Sequence, residues 1–198
     1  VAAGEEPIAS FTLTKDKFRY HMGPLFYRGR LDGTARVLVV GQEGATDEAL
    51  VHRAFTGGTG QKVQNFLNSI GITRDYIMLN TFVYSIFEQY DTFTAELAMS
   101  GPIKDHRSKI FAKVFAENNI ELVLTFGNAA YNSMKIFRDE QLGGEWPPGV
   151  RWSHMVHPGA AALSFAPGNT GEVIDSGTLG AVISSMSASW KRVWYWRY

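Results

Sequence analysis

Cysteine is absent from the 198 residues, which excludes disulfides, zinc ribbons and cysteine-ligated iron-sulfur clusters together. Long apolar runs are missing as well. The longest, such as Val37-Leu38-Val39-Val40, hold four residues, against the roughly 20 of a membrane-spanning helix or the about 7 to 15 of a signal peptide. Net charge is also lacking: Lys+Arg and Asp+Glu each total 19, so there is no overall pull toward nucleic acid. What is present is a composition that folds, with 45% hydrophobic and 19% charged residues. The expectation is one soluble, cytoplasmic domain over residues 1–198, monomeric and without a membrane partner. Charge is nevertheless uneven. Lys15, Lys17, Arg19, Arg28 and Arg30 face a single acid, Asp16, and Lys191, Arg192 and Arg197 face none. Both clusters read as solvated faces.

Short β-rich runs alternate with helical patterns, the mark of an α/β domain with a parallel sheet. Strands are predicted at Arg36 to Val40, Tyr76 to Asn80, Leu122 to Phe126 and Trp152 to Val156. The first three are nearly continuous apolar stretches, as strands covered on both faces should be. Val63, Phe66, Leu67 and Ile70 fall on one helical face ahead of Gly71, which predicts a helix over Gln61 to Ile70. A second helix is predicted over Lys104 to Asn119, with Ile110, Phe111, Val114 and Phe115 buried. A third covers Asn128 to Phe137, with Asn128 as its cap. Glycine and proline mark surface loops at Gly143 to Gly149 and Gly159 to Gly180. The aromatic-rich Trp190 to Tyr198 reads as the packing of a final helix or strand, with a nucleic-acid stacking surface as the alternative.

Ligands of open parallel sheets sit beyond the carboxyl ends of the strands. The residues there are Gly41-Gln42-Glu43-Gly44-Ala45, Asn80, Gly127-Asn128 and His157-Pro158-Gly159. A carboxylate, an amide and an imidazole would meet on one rim. Gly41-Gln42-Glu43-Gly44 lacks the second glycine of a dinucleotide-binding turn. Gly57-Gly58-Thr59-Gly60 is followed by Gln61-Lys62-Val63 and so lacks the phosphate-binding lysine signature. His154 and His157 are three apart on or near a strand, which sets them on opposite faces and argues against a shared metal.

This ordered set resembles the uracil-DNA glycosylase superfamily over about residues 36 to 163. Gly41 to Ala45 is similar to that family's opening loop, Arg53 to Gly60 to its Pro-Phe-x-Gly-x-x-Gly stretch, and Thr73 to Asn80 to its strand ending in a uracil-reading asparagine. Leu122 to Ala130 and His157-Pro158 resemble its later motifs. Gly44 replaces a usual proline, Gly159 a usual serine, and Ala45 the tyrosine of the most uracil-selective members. The branch with the closest Phe-x-Gly-x-x-Gly pattern carries four cluster cysteines, so this chain would be a cluster-free member.

The resemblance implies a three-layer α/β/α domain around a four-stranded parallel sheet, acting on uracil-containing DNA with no metal or organic cofactor. It implies that Glu43 activates the attacking water and balances positive charge on the sugar. Asn80 would accept from uracil N3-H and donate to O4, Phe55 would stack on the flipped base, and His157 would donate to O2. Gln42 would act through its backbone amide, its side chain mattering little, while Gly41, Gly44, Ala45, Pro158 and Gly159 would form DNA-facing loops. Leu163 and Phe165 lie where a wedge residue could be, and Phe82 and Tyr84 could fill the space beside Ala45. Two rivals fit the same residues: a DNA-binding relative that lost the chemistry, and a doubly wound enzyme acting on a small nucleoside or nucleotide.

Overall fold

In a computed structural model, the described residues are 18–24, 27–44, 46–87, 99, 101–155 and 157–158. Strand β1 is Arg28–Gly29, β2 Val37–Gly41, β3 Tyr76–Asn80, β4 Leu122–Phe126 and β5 Arg151–Met155. They form one sheet in the order β1-β3-β2-β4-β5. All neighbours are parallel except β1 and β3. The fifth strand corrects the expected four-stranded sheet. It is two residues long, too short for any apolar alternation to announce it.

Successive strand side chains point to opposite faces, and both faces are covered. Val37, Val39, Met78 and Leu124 pack with Val63, Leu67 and Ile70 of helix α2 or its end (Gly58–Ser69). Leu38, Val40, Ile77 and Val123 pack on the other face. Their partners there are Phe111 and Val114 of α3 (Gly101–Glu117) and Met134 and Phe137 of α4 (Asn128–Gln141). The result is the three-layer α/β/α arrangement, with each fully buried Leu, Val or Phe contributing about 1.5–3 kcal/mol.

Four helix starts differ from expectation, α2 and α3 by beginning three residues early, at Gly58 and Gly101. The six-residue α1 (Thr46–Val51) was not predicted, because Leu50 and Val51 are exposed and leave no apolar stripe. Asn128 is the first helical residue of α4 rather than its cap. Gly127 caps the helix at φ 86°, donating its amide to Met155 O and accepting from Tyr131 N. At the other end of α2 the expected Gly71 follows the Ile70 cap at φ 84°. No helix among the described residues is long and apolar enough to cross a membrane.

Chain order reverses at β2, which has β3 on one side and β4 on the other. The helix that follows it toward β3 lies on one face, and α3 and α4 lie on the opposite one. A crevice therefore opens at the carboxyl end of β2, where such sheets bind ligands.

Candidate active site

Strand β2 delivers Gly41, Gln42 and Glu43 into that crevice, and β3 delivers Asn80, paired in register with Gly41. The residues after Asn80 pin the loop. Thr81 donates to Gly41 O from both its amide and its hydroxyl, at 2.9 and 2.8 Å, and Phe82 N donates to Gln42 O at 3.3 Å. A Cβ on Gly41 would lie 2.6 Å from Asn80 Oδ1 and 2.6 Å from Phe55 Cζ. Only glycine lets the amide and the ring converge there. Gly41→Ala is expected to force both side chains aside at a cost of about 1–3 kcal/mol, read as a lowered midpoint of thermal unfolding.

Phe55 is buried and takes φ 58°, a left-handed conformation that a side chain disfavours. It arrives on the turn between α1 and α2. A Cβ on Gly60 would lie 2.2 Å from the Phe55 carbonyl, so the start of α2 can sit on Phe55 because residue 60 is glycine. The last contribution comes after β5. His157 is partly buried, Pro158 is buried, and Lys62 Nζ of α2 donates to Pro158 O at 3.2 Å.

These segments enclose a cavity of about 160 Å³ lined by Gln42, Glu43, Phe55, Asn80, His157 and Pro158, with Gly41 at its base. A cavity near 150 Å³ admits a six-membered ring. Phe126, the Gly57 to Gly60 segment and two acids of α1, Asp47 and Glu48, complete the lining. A second cavity of about 170 Å³ lies on the other face against α3 and is mainly apolar; it shares Asn80 but lacks Glu43, Phe55 and His157.

Electrostatics distinguish the first cavity. Burial pushes the Glu43 carboxyl up to about 7, the Glu48 charge adds to the rise, and a hydrogen bond from the Gln42 side chain opposes it. Glu43 Oε2 and Asn80 Nδ2 are both buried with no hydrogen-bond partner among the described residues. Buried polar atoms are normally satisfied, so an unpaired acceptor and an unpaired donor in one cavity point to a ligand carrying the complement. Burial lowers the His157 pKa, which keeps the imidazole neutral, a donor of one N–H and an acceptor at the other nitrogen. Together these groups can hold a flat polar ring, exchange a proton near neutral pH and place a carboxylate beside developing positive charge.

Gly41, Gln42, Glu43, Asn80, His157 and Pro158 thus meet from their strand ends, and Phe55, expected from the resemblance alone, joins them from the turn between α1 and α2. Gly44 is buried and is not among the lining residues. Ala45 and Gly159 lie outside the described residues, as do Val156, Leu163, Phe165 and 190–198. The Gln42 side chain does engage, through Glu43, where only its backbone was expected to matter. His154 packs on Tyr131, 4.9 Å between ring centroids, and accepts or donates at Thr125 Oγ1, away from His157. Phe82 and Tyr84 join Phe18 and Ile86 in a third buried cluster and do not line the cavity. Asp47 and Glu48 were missed, although two acids directly after a rim loop are a readable sign. Arg28, expected on a solvated face, is partly buried and bonded to the turn that carries Phe55.

The family model described as the uracil DNA glycosylase superfamily matches residues 28–188. No curated protein matches the chain.

Proposed function

The chain belongs to the uracil DNA glycosylase superfamily, and on that premise we propose that it is a monofunctional DNA glycosylase that takes uracil out of the DNA stack and hydrolyses its N-glycosidic bond. The observation that carries the reading is the pair of unpaired buried atoms, Asn80 Nδ2 and Glu43 Oε2, in a cavity of ring size. Uracil offers the complement to Asn80: O4 accepts from Nδ2 and N3-H donates to Oδ1, a pattern that cytosine reverses. Phe55 supplies the aromatic wall on which a flipped base stacks.

Bond cleavage leaves negative charge on the departing base and positive charge on the sugar. Neutral His157 donates toward O2 of the base as that charge grows. Ionised Glu43 orients the attacking water, takes up its proton and offsets the sugar charge. The products are free base and an abasic site. Gly41 and Pro158, at the cavity, belong to the loops that face the DNA backbone in this reading, to which the family motifs alone assign Ala45 and Gly159. The test is release of free base from oligonucleotides carrying uracil, hypoxanthine, xanthine or thymine. No release from any of them, with DNA still bound, would favour a relative that lost the chemistry.

Selectivity follows from Ala45, which stands where the most uracil-selective relatives carry a tyrosine against C5. A single methyl group is worth only about 1–3 kcal/mol of discrimination even in a well-packed pocket. Without that wall, 5-hydroxymethyluracil and xanthine should be released more readily than by a tyrosine-bearing relative, with Phe55 and Asn80 still favouring uracil. In Ala45→Tyr the 5-hydroxymethyluracil to uracil ratio is expected to fall about tenfold. Strict uracil specificity in the native protein, unchanged by the tyrosine, would sink the idea.

A further inference from the structure

The turn that carries Phe55 is held by two side chains from other elements. Arg28, on edge strand β1, donates from Nε to Ala54 O at 3.0 Å, from Nη1 to Gln64 Oε1 at 3.0 Å and from Nη2 to Thr56 Oγ1 at 3.5 Å. Gln64, on α2, donates from Nε2 to Phe55 O at 2.8 Å and to Gly60 O at 3.2 Å. The residue before Phe55, Phe55 itself and the residue after it are therefore each bonded into one network. This network encloses the left-handed Phe55, a conformation that persists in a residue with a Cβ only when its surroundings over-determine it.

We propose that Arg28 and Gln64 are positioning residues that clamp the Phe55 turn, so that the ring is already in place as the base-stacking wall before DNA binds. The proposal rests on the glycosylase reading for its catalytic part only. The planar guanidinium suits this task because it presents several donors in a fixed fork, which an ammonium cannot reproduce. Burial, together with Arg53, lowers the Arg28 pKa, against the opposing effects of Tyr76 and Glu48. Glu48 also acts on Glu43, so the clamp and the carboxylate share one neighbour. Preorganisation of this kind appears in the rate of the bound complex more than in affinity, since a ring that must be ordered at each turnover is often misplaced.

The experiment is a double-mutant cycle on single-turnover release from a uracil oligonucleotide. It is accompanied by amide hydrogen exchange over residues 53–60. Phe55→Ala should cost about ten- to a hundredfold, the usual loss for a base-stacking ring. Arg28→Met and Gln64→Leu should each cost about three- to tenfold with little change in DNA affinity, and Arg28→Lys should recover part of the loss. In the Phe55→Ala background Arg28→Met should cost less than about twofold, because no wall is left to position. Exchange at 53–60 should quicken in both clamp variants. A loss from Arg28→Met that is the same with and without the ring would overturn the proposal, as that is general destabilisation. If Arg28→Met fails to fold, Gln64→Leu runs the same cycle. A native protein that releases no base removes the glycosylase reading, and exchange then decides the clamp alone: unchanged protection in the variants overturns it.

Discussion

Asn80→Asp is expected to lower uracil release about a thousandfold at pH 8. The side chain is buried at the end of β3, and its Nδ2 has no acceptor among the described residues, leaving it free for the base. Sites built on a hydrogen bond to the substrate lose about 10⁴–10⁵ in selectivity when the partner is missing, and here the amide donor is replaced by a charge that repels O4. Glu43, Asp47 and Glu48 already line the cavity, so a new carboxylate there would hold its proton more tightly than usual. That gives the prediction a second arm. A protonated aspartate accepts at one oxygen and donates from the other, as asparagine does. The ratio of variant to native rate should therefore rise as pH falls, while both rates decline. Cytosine should gain relative to uracil. Unchanged uracil release by a folded variant would remove Asn80 from the site.

Glu43→Gln should lose about ten- to a thousandfold in single-turnover rate, the usual range for one acid-base or electrostatic contributor, and should make the protein more stable at pH 8. Both effects come from one cause. The folded carboxyl titrates at about 7 against 4.5 for a solvated one, so between those values the folded chain holds a proton that the unfolded chain has released. Stability then falls as pH rises through this window, and the deficit is complete above 7. Glutamine removes it. The expected gain is about 1–3 kcal/mol at pH 8 and close to nothing at pH 4.5, read from thermal or denaturant unfolding at the two values. The native rate should drop about tenfold for each pH unit below 7, because the reactive form is the carboxylate. A flat native profile between pH 5 and 8, or equal stability of the two proteins at pH 8, would take Glu43 out of this role.

Much of this site is legible in the sequence because it lies where strands stop. Tyr76 to Asn80 was readable to the residue, since Ile77 to Leu79 are buried among apolar neighbours on both faces and Asn80 breaks the run. Leu122 to Phe126 is the same case. What escaped reading depends on contacts between distant segments. Arg28 looks like any surface cation until Ala54, 26 positions away, is placed against it. Phe55 gives no sign in its letter that its backbone is left-handed; Gly60, five residues on, is where that conformation leaves its trace, because α2 approaches the Phe55 carbonyl there. Asn128 is a good cap by type, yet Gly127 took the position because its amide was needed by Met155 O. Helix α1 stayed hidden because it is brief and turns Leu50 and Val51 to solvent.

The reversal of strand order at β2 has a consequence for how such a protein changes over time. Gln42, Glu43, Asn80 and His157 hang from the far end of a strand or the loop beyond it, and Phe55 from the turn between α1 and α2, whereas Val37, Val39, Leu124 and their neighbours on α2 hold the sheet from within. The two populations overlap at Phe55 and Phe126, but Gln42, Glu43 and His157 lie outside the buried clusters, so exchanges at positions 42, 43 or 157 can redraw what the cavity accepts with little disturbance to what keeps the chain folded. Natural variation can then try new damaged bases one letter at a time on an unchanging frame, which is how loops on a rigid scaffold become the seat of innovation. Gly41 and Phe55 are the exceptions: each belongs to both populations, and drift there would be felt as misfolding and as lost chemistry in the same step.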